Sequence, residues 1–401
     1  MMKICLLTNS FLPKVGGMEL AVHYLANSLN ALGCQVTVIA KYLKGEIQLP
    51  RDYTLIRFGN RFPFSGRIGA DALAGILALL RAHLRERFDL FNCHGVSYAG
   101  SQLYFALKSG LLNRPVIMTP HGEDIQMVPE VGYGLRLKPK WDRIIRRNLK
   151  SADRITAIST SITKQLDFIP PEKISLIPNG IHLSEFKADR TDFLHRYLRL
   201  PVDRKIVLSV GRNRRVKGYA YGVQAFESLR KMRPELPLTY VMIGKDTPLL
   251  QPQIDHSGLR ETVFAIPQMT RQEIVKAYAS AWCFLSPSLS EGLSLVSIEA
   301  MACGLPLVVT DVPGNADIIE NNGCGLIVKA RAPEELARSL IYLLEHPDQY
   351  DLFRQKALDR SPAYDWMKIA GRYEQEYRLA MAYHPGTCRK KTDISLKPTL
   401  D

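Results

Sequence analysis

The sequence predicts an α/β protein of two doubly wound domains, each a parallel sheet covered by helices on both faces. Three observations point there. Short apolar runs alternate with amphipathic stretches from one end to the other, the pattern that buried parallel strands and their crossover helices impose. The alternation lapses in a polar, charged stretch and restarts at Lys205–Val210. A chain of 401 residues also exceeds what one compact core ordinarily serves, so length favours two domains.

In chain order, Ile4–Leu7 reads as the first strand. Between Glu19 and Leu32, the apolar Leu20, Tyr24, Leu25, Leu29 and Leu32 share one face of a helix, and Gly33 stands where a helix C′ residue would. Val36–Ala40, Leu90–Cys93, Val116–Thr119, Ile155–Ile158 and Ile174–Ile177 follow as strands and complete a first domain over residues 1–184. Residues 185–204, polar and with Pro201 near their end, read as the linker. The second domain, residues 205–364, repeats the pattern with Lys205–Val210, Leu238–Ile243, Val263–Ala265, Cys283–Leu285, Leu307–Thr310 and Leu326–Val328. Residues 365–384 form a separate periodic segment, Trp366–Tyr383, after Ser361-Pro362. The Pro-, Lys- and Thr-rich residues 385–401 are expected to be a disordered tail.

Composition is that of an ordinary globular protein, 46% hydrophobic and 23% charged. The net charge of +14, of which roughly nine lie in the first 186 residues, implies an anionic partner such as nucleotide phosphates, nucleic acid or an acidic membrane surface. No recognisable module supports nucleic acid. The densest basic segment, Arg136 to Lys150, reads either as a solvated helix face or as peripheral contact with an anionic bilayer. The seven cysteines lack Cys-x-x-Cys pairs and regular spacing, which argues against a zinc site or a disulfide framework and fits a reducing compartment. The apolar run at the amino terminus is too short for a signal segment, and no stretch approaches the roughly 18 apolar residues that span a bilayer. The expectation is a cytoplasmic protein, soluble or peripheral on the cytoplasmic face of the membrane.

In open α/β sheets, ligands sit beyond the carboxyl ends of the strands, so the loops there carry the chemistry. The most informative one leaves Phe284-Leu285-Ser286, turns at Gly292 and enters a helix through Leu293, Ser294 and Leu295. A helix start presents unpaired N–H groups and partial positive charge, which suits a pyrophosphate. Glu291 and Glu299 flank that anion site, about 12 Å apart along the axis if the interval is mostly helical. As an isolated pair they could be a first-turn acid and a solvated helix residue. However, Glu299 runs into Ala300, Met301, Ala302 and Cys303, and a carboxylate in so apolar a helix needs a partner.

The stretch from Pro287 to Ile319, with its Glu-x7-Glu spacing and the following Glu-Ala-Met-Ala-Cys-Gly-Leu-Pro, resembles the signature of glycosyltransferase family 4. The resemblance extends over nearly the whole chain. It implies a GT-B fold, two Rossmann-like domains facing each other across a cleft, and a retaining glycosyltransferase fed by a nucleotide diphosphate sugar. Glu291 would contact the transferred sugar and Glu299 the ribose hydroxyls. Many members have glutamate where this sequence has Asp317. The segment Trp366–Tyr383 would be the family's helix that returns to the first domain.

Other loops are read beside that resemblance. Val210-Gly211-Arg212-Asn213-Arg214-Arg215-Val216-Lys217-Gly218 releases several cations at a strand end. Arg212 and Lys217 match the family's diphosphate-gripping pair, whose charge would stabilise the departing nucleotide. Arg214 and Arg215 read as neutral surface charges. Gly16 and Gly17 open the first helix and resemble the family loop near the donor phosphate; the alternative is a plain tight turn. His121, in Thr119-Pro120-His121-Gly122-Glu123-Asp124, would sit near the reacting sugar. His94 and Asp124 are candidates on the acceptor side, and Lys245, Pro267 and Gln268 lie in loops that should meet the nucleobase. Pro267 replaces a glycine found in many relatives.

In retaining GT-B enzymes the departing phosphate helps deprotonate the acceptor, so neither a metal nor another cofactor is expected. The expected partners are a nucleotide-sugar donor and a glycan or lipid-linked acceptor. A sugar-nucleotide epimerase or hydrolase, or a non-catalytic binding subunit, stays open as an alternative.

Overall fold

The computed structural model describes residues 1–14, 16–45, 49–59, 68–186 and 189–385. The expected tail beyond residue 385 lies outside the described residues.

Residues with β-branched and aliphatic side chains form two all-parallel sheets. The first contains β1 (Lys3–Thr8), β2 (Gln35–Lys41), β3 (Thr54–Phe58), β4 (Leu90–His94), β5 (Val116–Thr119), β6 (Arg154–Ala157) and β7 (Ile174–Leu176), in the order β3-β2-β1-β4-β5-β6-β7. The second contains β8 (Lys205–Val210), β9 (Leu238–Ile243), β10 (Val263–Ile266), β11 (Cys283–Ser286), β12 (Leu307–Thr310) and β13 (Gly325–Val328), in the order β10-β9-β8-β11-β12-β13. Every pairing is parallel, with Leu6 opposite Val38 and Asn92, and Val207 opposite Tyr240 and Cys283. These are two Rossmann-like sheets of a GT-B fold. In each, strand order reverses beside the first strand, between β1 and β4 and between β8 and β11, and such switch points open crevices for ligands.

The expected strands all appear, with ends shifted by a residue or so. Strand β3 was not anticipated, because Thr54-Leu55-Ile56-Arg57-Phe58 is an edge strand whose burial begins only at Phe58. The first helix runs Gly17–Ala31, and Gly33 follows it with φ 86°, a conformation glycine adopts without a Cβ penalty. Its buried face includes Tyr24, Leu25 and Leu29, while Leu32 lies past the helix and is exposed.

The joint between the domains is two strands of chain side by side. Ile181 N–H donates to the Tyr364 carbonyl at 2.8 Å, and Trp366 N–H donates to Ile181 at 3.2 Å. A Cβ on Gly180 would stand 2.8 Å from the Tyr364 carbonyl oxygen, so this approach needs a glycine. Past the joint, Phe186 and Leu194 are buried in the second domain's core, so part of the polar 185–204 stretch packs as a member of that domain. The helix Trp366–Tyr383 lies on the first domain, with Trp366, Ile369, Tyr373 and Tyr377 packed among Ala21, Leu25 and Leu29. Tyr377 donates to Asn92 Oδ1 at 2.7 Å, Glu376 pairs with Arg154, and each fully buried aromatic contributes about 2–3 kcal/mol.

Six cysteines within the described residues are free thiols. No helix of the described residues is long and apolar enough to cross a membrane.

Candidate active site

Loops from the two switch points meet. From the second domain, the loop after β8 tightens into a short turn at Arg215–Lys217, closed by Gly218 at φ 63°. A Cβ there would sit 1.9 Å from the Pro287 carbonyl oxygen, and Leu289 N–H donates to Val216 O at 2.6 Å, so this loop is laced onto the one after β11. That lacing brings Lys217 Nζ to 2.7 Å from Glu291 Oε1, which also accepts from Ser288 Oγ at 2.7 Å. Glu291 is 8% exposed, so its charge is held by a cation and a hydroxyl rather than by water. Arg212 has no ion pair or side-chain hydrogen bond among the described residues, a partly buried cation left open to an anion.

The helix after β11 spans Leu295–Ala302 with Ser294 as its N-cap, so only the second half of the Glu291–Glu299 interval is helical. In the first half, Glu291 pairs with Lys217 and Gly292 lies against the His121 carbonyl of the other domain. Among the described residues, nothing accepts from the N–H groups of Leu293, Ser294, Leu295 or Val296, which leaves a row of donors at the helix's positive end. Glu299 has found the partners its apolar helix demanded. Arg271 Nη1 donates to Oε1 at 2.6 Å and Tyr278 Oη to Oε2 at 2.9 Å.

The first domain faces this mainly with backbone and neutral groups, the charge of its buried Glu19 being held by Ser10 and Lys14. A Cβ on Gly292 would lie 2.3 Å from the His121 carbonyl oxygen, and one on Gly17 would lie 3.6 Å from Leu295 Cδ1, so both glycine loops touch across the domain boundary. Gln126 reaches over, donating to the Glu291 carbonyl at 2.5 Å and accepting from Ser290 Oγ at 3.2 Å. Asp317 accepts from Thr160 Oγ1 and from Ser161 N–H, a further cross-domain contact. Arg214, read from sequence as a neutral surface charge, lies 3.5 Å from Glu123 of the other domain.

His94 Nδ1 and His121 Nε2 are 3.0 Å apart. Burial pushes the His121 pKa down to about 4 despite the opposing charges of Asp124 and Glu19, and burial beside His121 lowers His94 further. Both rings are therefore neutral near pH 7, and one proton is shared along their line. Either tautomeric arrangement leaves one free N–H and one free lone pair on His94 Nε2 and His121 Nδ1, neither of which has a partner among the described residues. Asp124 directs its carboxylate to the backbone, accepting from His121 N–H and Gly122 N–H at 3.0 Å and from Val96 N–H at 2.9 Å. Its place is to shape the His121 loop.

Thus the fold brings together Gly17, His121, Lys217, Glu291, Gly292 and Leu295. Gly16 caps the first helix beside Glu19. Lys245, Pro267 and Gln268 are exposed at the ends of β9 and β10, tied to the cation loop where Asn213 N–H donates to the Lys245 carbonyl at 2.8 Å. Sequence reasoning missed Gln126, Ser288, Arg271 and Tyr278. Ser288, three residues before Glu291, had a local signal; the others are joined only by tertiary structure. Among the described residues, no cluster of three or more His, Cys, Asp or Glu is arranged to hold a metal.

Known proteins match the chain along almost its whole length. Residues 15–185 match the family described as Glycosyltransferase Family 4, and residues 191–360 match Glycosyl transferases group 1. The chain is 24% identical to a D-inositol 3-phosphate glycosyltransferase of Thermobispora bispora over 391 residues, covering 91% of this chain and 90% of that one. It is 23% identical over 397 residues to a GDP-mannose:cellobiosyl-diphosphopolyprenol alpha-mannosyltransferase of Xanthomonas campestris, covering 95% and 97%. Among solved structures, sucrose-phosphate synthase from Thermosynechococcus elongatus superposes with a TM-score of 0.80 at 21% identity, covering 95% of this chain and 100% of that one.

Proposed function

The chain belongs to the family 4 glycosyltransferases of GT-B fold, and from that premise we propose that it moves a hexosyl group from a UDP- or GDP-sugar to an acceptor hydroxyl with retention at the anomeric carbon. The observation that carries this reading is the Lys217–Glu291 pair at 2.7 Å, set where the two domains meet. A carboxylate held by a lysine and a serine hydroxyl is a poor nucleophile but a good fixed acceptor for sugar hydroxyls. Lys217, Arg212 and the open N–H row at Leu293–Val296 would take up the charge that grows on the diphosphate as the glycosidic bond breaks. The departing phosphate oxygen is then the base for the acceptor proton, on the same face that the new bond forms, and the chemistry needs no metal ion. His121 and His94, neutral and with one donor and one acceptor to spare, would read hydroxyls without adding charge.

The acceptor we favour is lipid-linked or a polysaccharide precursor. The helix Ile68–Glu86 exposes Leu73, Leu77 and Leu84, and Phe105 and Leu111 are exposed nearby in the chain's next crossover. Arg81, Arg85 and Lys108 are exposed beside them, and the Arg147 guanidinium lies 4.0 Å from the Tyr104 ring centroid. Apolar side chains amid cations suit the surface of an anionic bilayer on the cytoplasmic side. The Xanthomonas relative's name specifies a diphosphopolyprenol acceptor and GDP-mannose, the Thermobispora relative's an inositol phosphate.

A donor screen tests the reading: UDP- and GDP-sugars are offered with thermal shift and slow hydrolysis as readouts, and the anomeric proton of any product is assigned by NMR. Stabilisation by one nucleotide class and an anomer matching the donor's are expected. No response to any nucleotide sugar, or an inverted product, would overturn it. Sedimentation with anionic vesicles at low salt tests the membrane contact, which no binding would remove.

A further inference from the structure

Glu299 does not stand alone in its helix. One oxygen of its carboxylate accepts from Arg271 Nη1 at 2.6 Å and the other from Tyr278 at 2.9 Å, and both donors come from the same helix, Arg271–Ser280. Each oxygen keeps a lone pair free, which is what two vicinal ribose hydroxyls require. Arg271 is itself shared. Its Nε donates to Glu185 Oε2 at 2.9 Å, and its guanidinium carbon lies 4.5 Å from the Phe186 ring centroid. Glu185 and Phe186 belong to the short helix Leu183–Phe186, just past the joint where the chain leaves the first domain. On its other oxygen, Glu185 accepts from Tyr24 Oη at 3.3 Å, and Tyr24 lies on the helix that opens at Gly16 and Gly17. The Tyr24 ring also packs against His182, centroids 4.9 Å apart. Four side chains thus run unbroken from the first domain, through the crossover, to the second domain's carboxylate.

One guanidinium between two carboxylates is a geometry that lysine, a point charge on a flexible stem, does not reproduce. Without Arg271, Glu299 would be a carboxylate in an apolar helix with one neutral donor, and it would turn outward or take up a proton. Burial and Glu185 push the Tyr24 hydroxyl up to about 12, so it stays a donor to Glu185 at neutral pH. We infer that Arg271 is a positioning residue that holds Glu299 ready for the donor's ribose, and that Glu185 and Tyr24 anchor this hold to the crossover between the domains. The inference rests on Glu299 as the ribose contact.

Nucleotides that differ only at the ribose provide the test. Full-length wild type, Arg271→Ala, Arg271→Lys, Glu185→Gln, Tyr24→Phe and Glu299→Ala are titrated calorimetrically with UDP and GDP and with their 2′,3′-dideoxy counterparts, and melting temperatures are recorded. Arg271→Ala should weaken the bound ribonucleotide about tenfold while leaving its dideoxy analogue within about twofold. Arg271→Lys should recover only part of the loss, and Glu185→Gln and Tyr24→Phe should show smaller losses of about threefold and twofold with the same preference. A merely structural role would weaken both nucleotides alike, and that result, or no loss at all, overturns the inference. If Glu299→Ala discriminates ribose from dideoxyribose and Arg271→Ala does not, the inference fails alone; if Glu299→Ala does not discriminate, the ribose reading fails with it. Glu185→Gln and Tyr24→Phe, nearly isosteric, keep the test valid should Arg271→Ala not fold.

Discussion

The two sides of the cleft are built from the same strand order, with one further strand in the first sheet, and from different electrostatics. On the second-domain side, each carboxylate is held by a cation, Glu291 by Lys217 and Glu299 by the Arg271 it shares with Glu185, and a further cation, Arg212, has no ion pair among the described residues. On the first-domain side, the buried ring pair His94–His121 is neutral, and Asp124 directs its charge to three backbone N–H groups. A nucleotide diphosphate needs charge to grip it and to carry the growing negative charge of departure. An acceptor hydroxyl needs orientation without a competing ion. On the proposed reading, one fold supplies both by what it places beyond its switch-point strands.

The largest expected effect comes from removing the charge on the donor side. Lys217→Ala should lower kcat/KM on the order of a thousandfold, because it removes a cation from the proposed leaving group and unpairs buried Glu291, with a melting temperature only a few degrees below wild type. Wild-type rates in that variant would erase the contrast between the two sides. Next comes the place where they touch. Gly292→Ala sets a Cβ 2.3 Å from the His121 carbonyl oxygen, which forces the loops apart by about an ångström and should cost about a hundredfold in kcat without unfolding either domain. An alanine variant with unchanged kcat would mean that this contact is not part of the working site.

The contrast was unevenly legible in the sequence. The sheets were readable because parallel strands, buried on both faces, leave continuous apolar runs such as Ile206-Val207-Leu208 and Leu307-Val308-Val309. Thr54–Phe58 was not, since an edge strand carries only half of that signal. On the second-domain side, Lys217 and Glu291 lie in loops at strand ends and Glu299 in the helix that follows, local patterns that could be read from a line of text. Their partners were invisible for a physical reason. Arg271 precedes Glu299 by 28 residues, and Gln126 reaches the Glu291 carbonyl from 165 residues away, so only packing of β10's crossover and of the two domains makes them neighbours. The pairing of His94 with His121 was hidden likewise, as His94 ends β4 and His121 follows the adjacent strand β5.

Acid should expose the neutral side of the cleft. Burial holds His121 near pKa 4, against 6.5 when free, and His23, buried against Tyr53 and beside His182, also near 4. Between those values the unfolded chain binds protons that the folded one refuses, so stability is intact above about pH 6.5 and falls as pH drops toward 4, by at most about 1.4 kcal/mol per pH unit for each ring. Urea titrations from pH 7.5 to 4.5 should show this slope, and His23→Gln should flatten part of it while leaving the His121 portion. A stability that rose on acidification would mean that the rings are charged in the fold, and the first-domain side would no longer be neutral.

The smallest effect is expected where charges face each other across the boundary without burial. Arg214 and Glu123 are 3.5 Å apart, and both side chains are about half exposed, 48% and 56%. At that exposure water and salt screen the pair, and ordering two long side chains offsets most of the attraction, leaving at most about 0.5 kcal/mol. Arg214→Ala should therefore leave the melting temperature within about 1 °C and kcat/KM within about twofold, with the residual difference gone at 0.5 M salt. Measured beside Lys217→Ala, three residues away in the same loop, it separates charge as such from charge placed in a buried, paired geometry. A tenfold loss that survived high salt would show that Arg214 touches the donor or holds the domains together. The cation loop would then have to be read as a cluster rather than as one gripping pair.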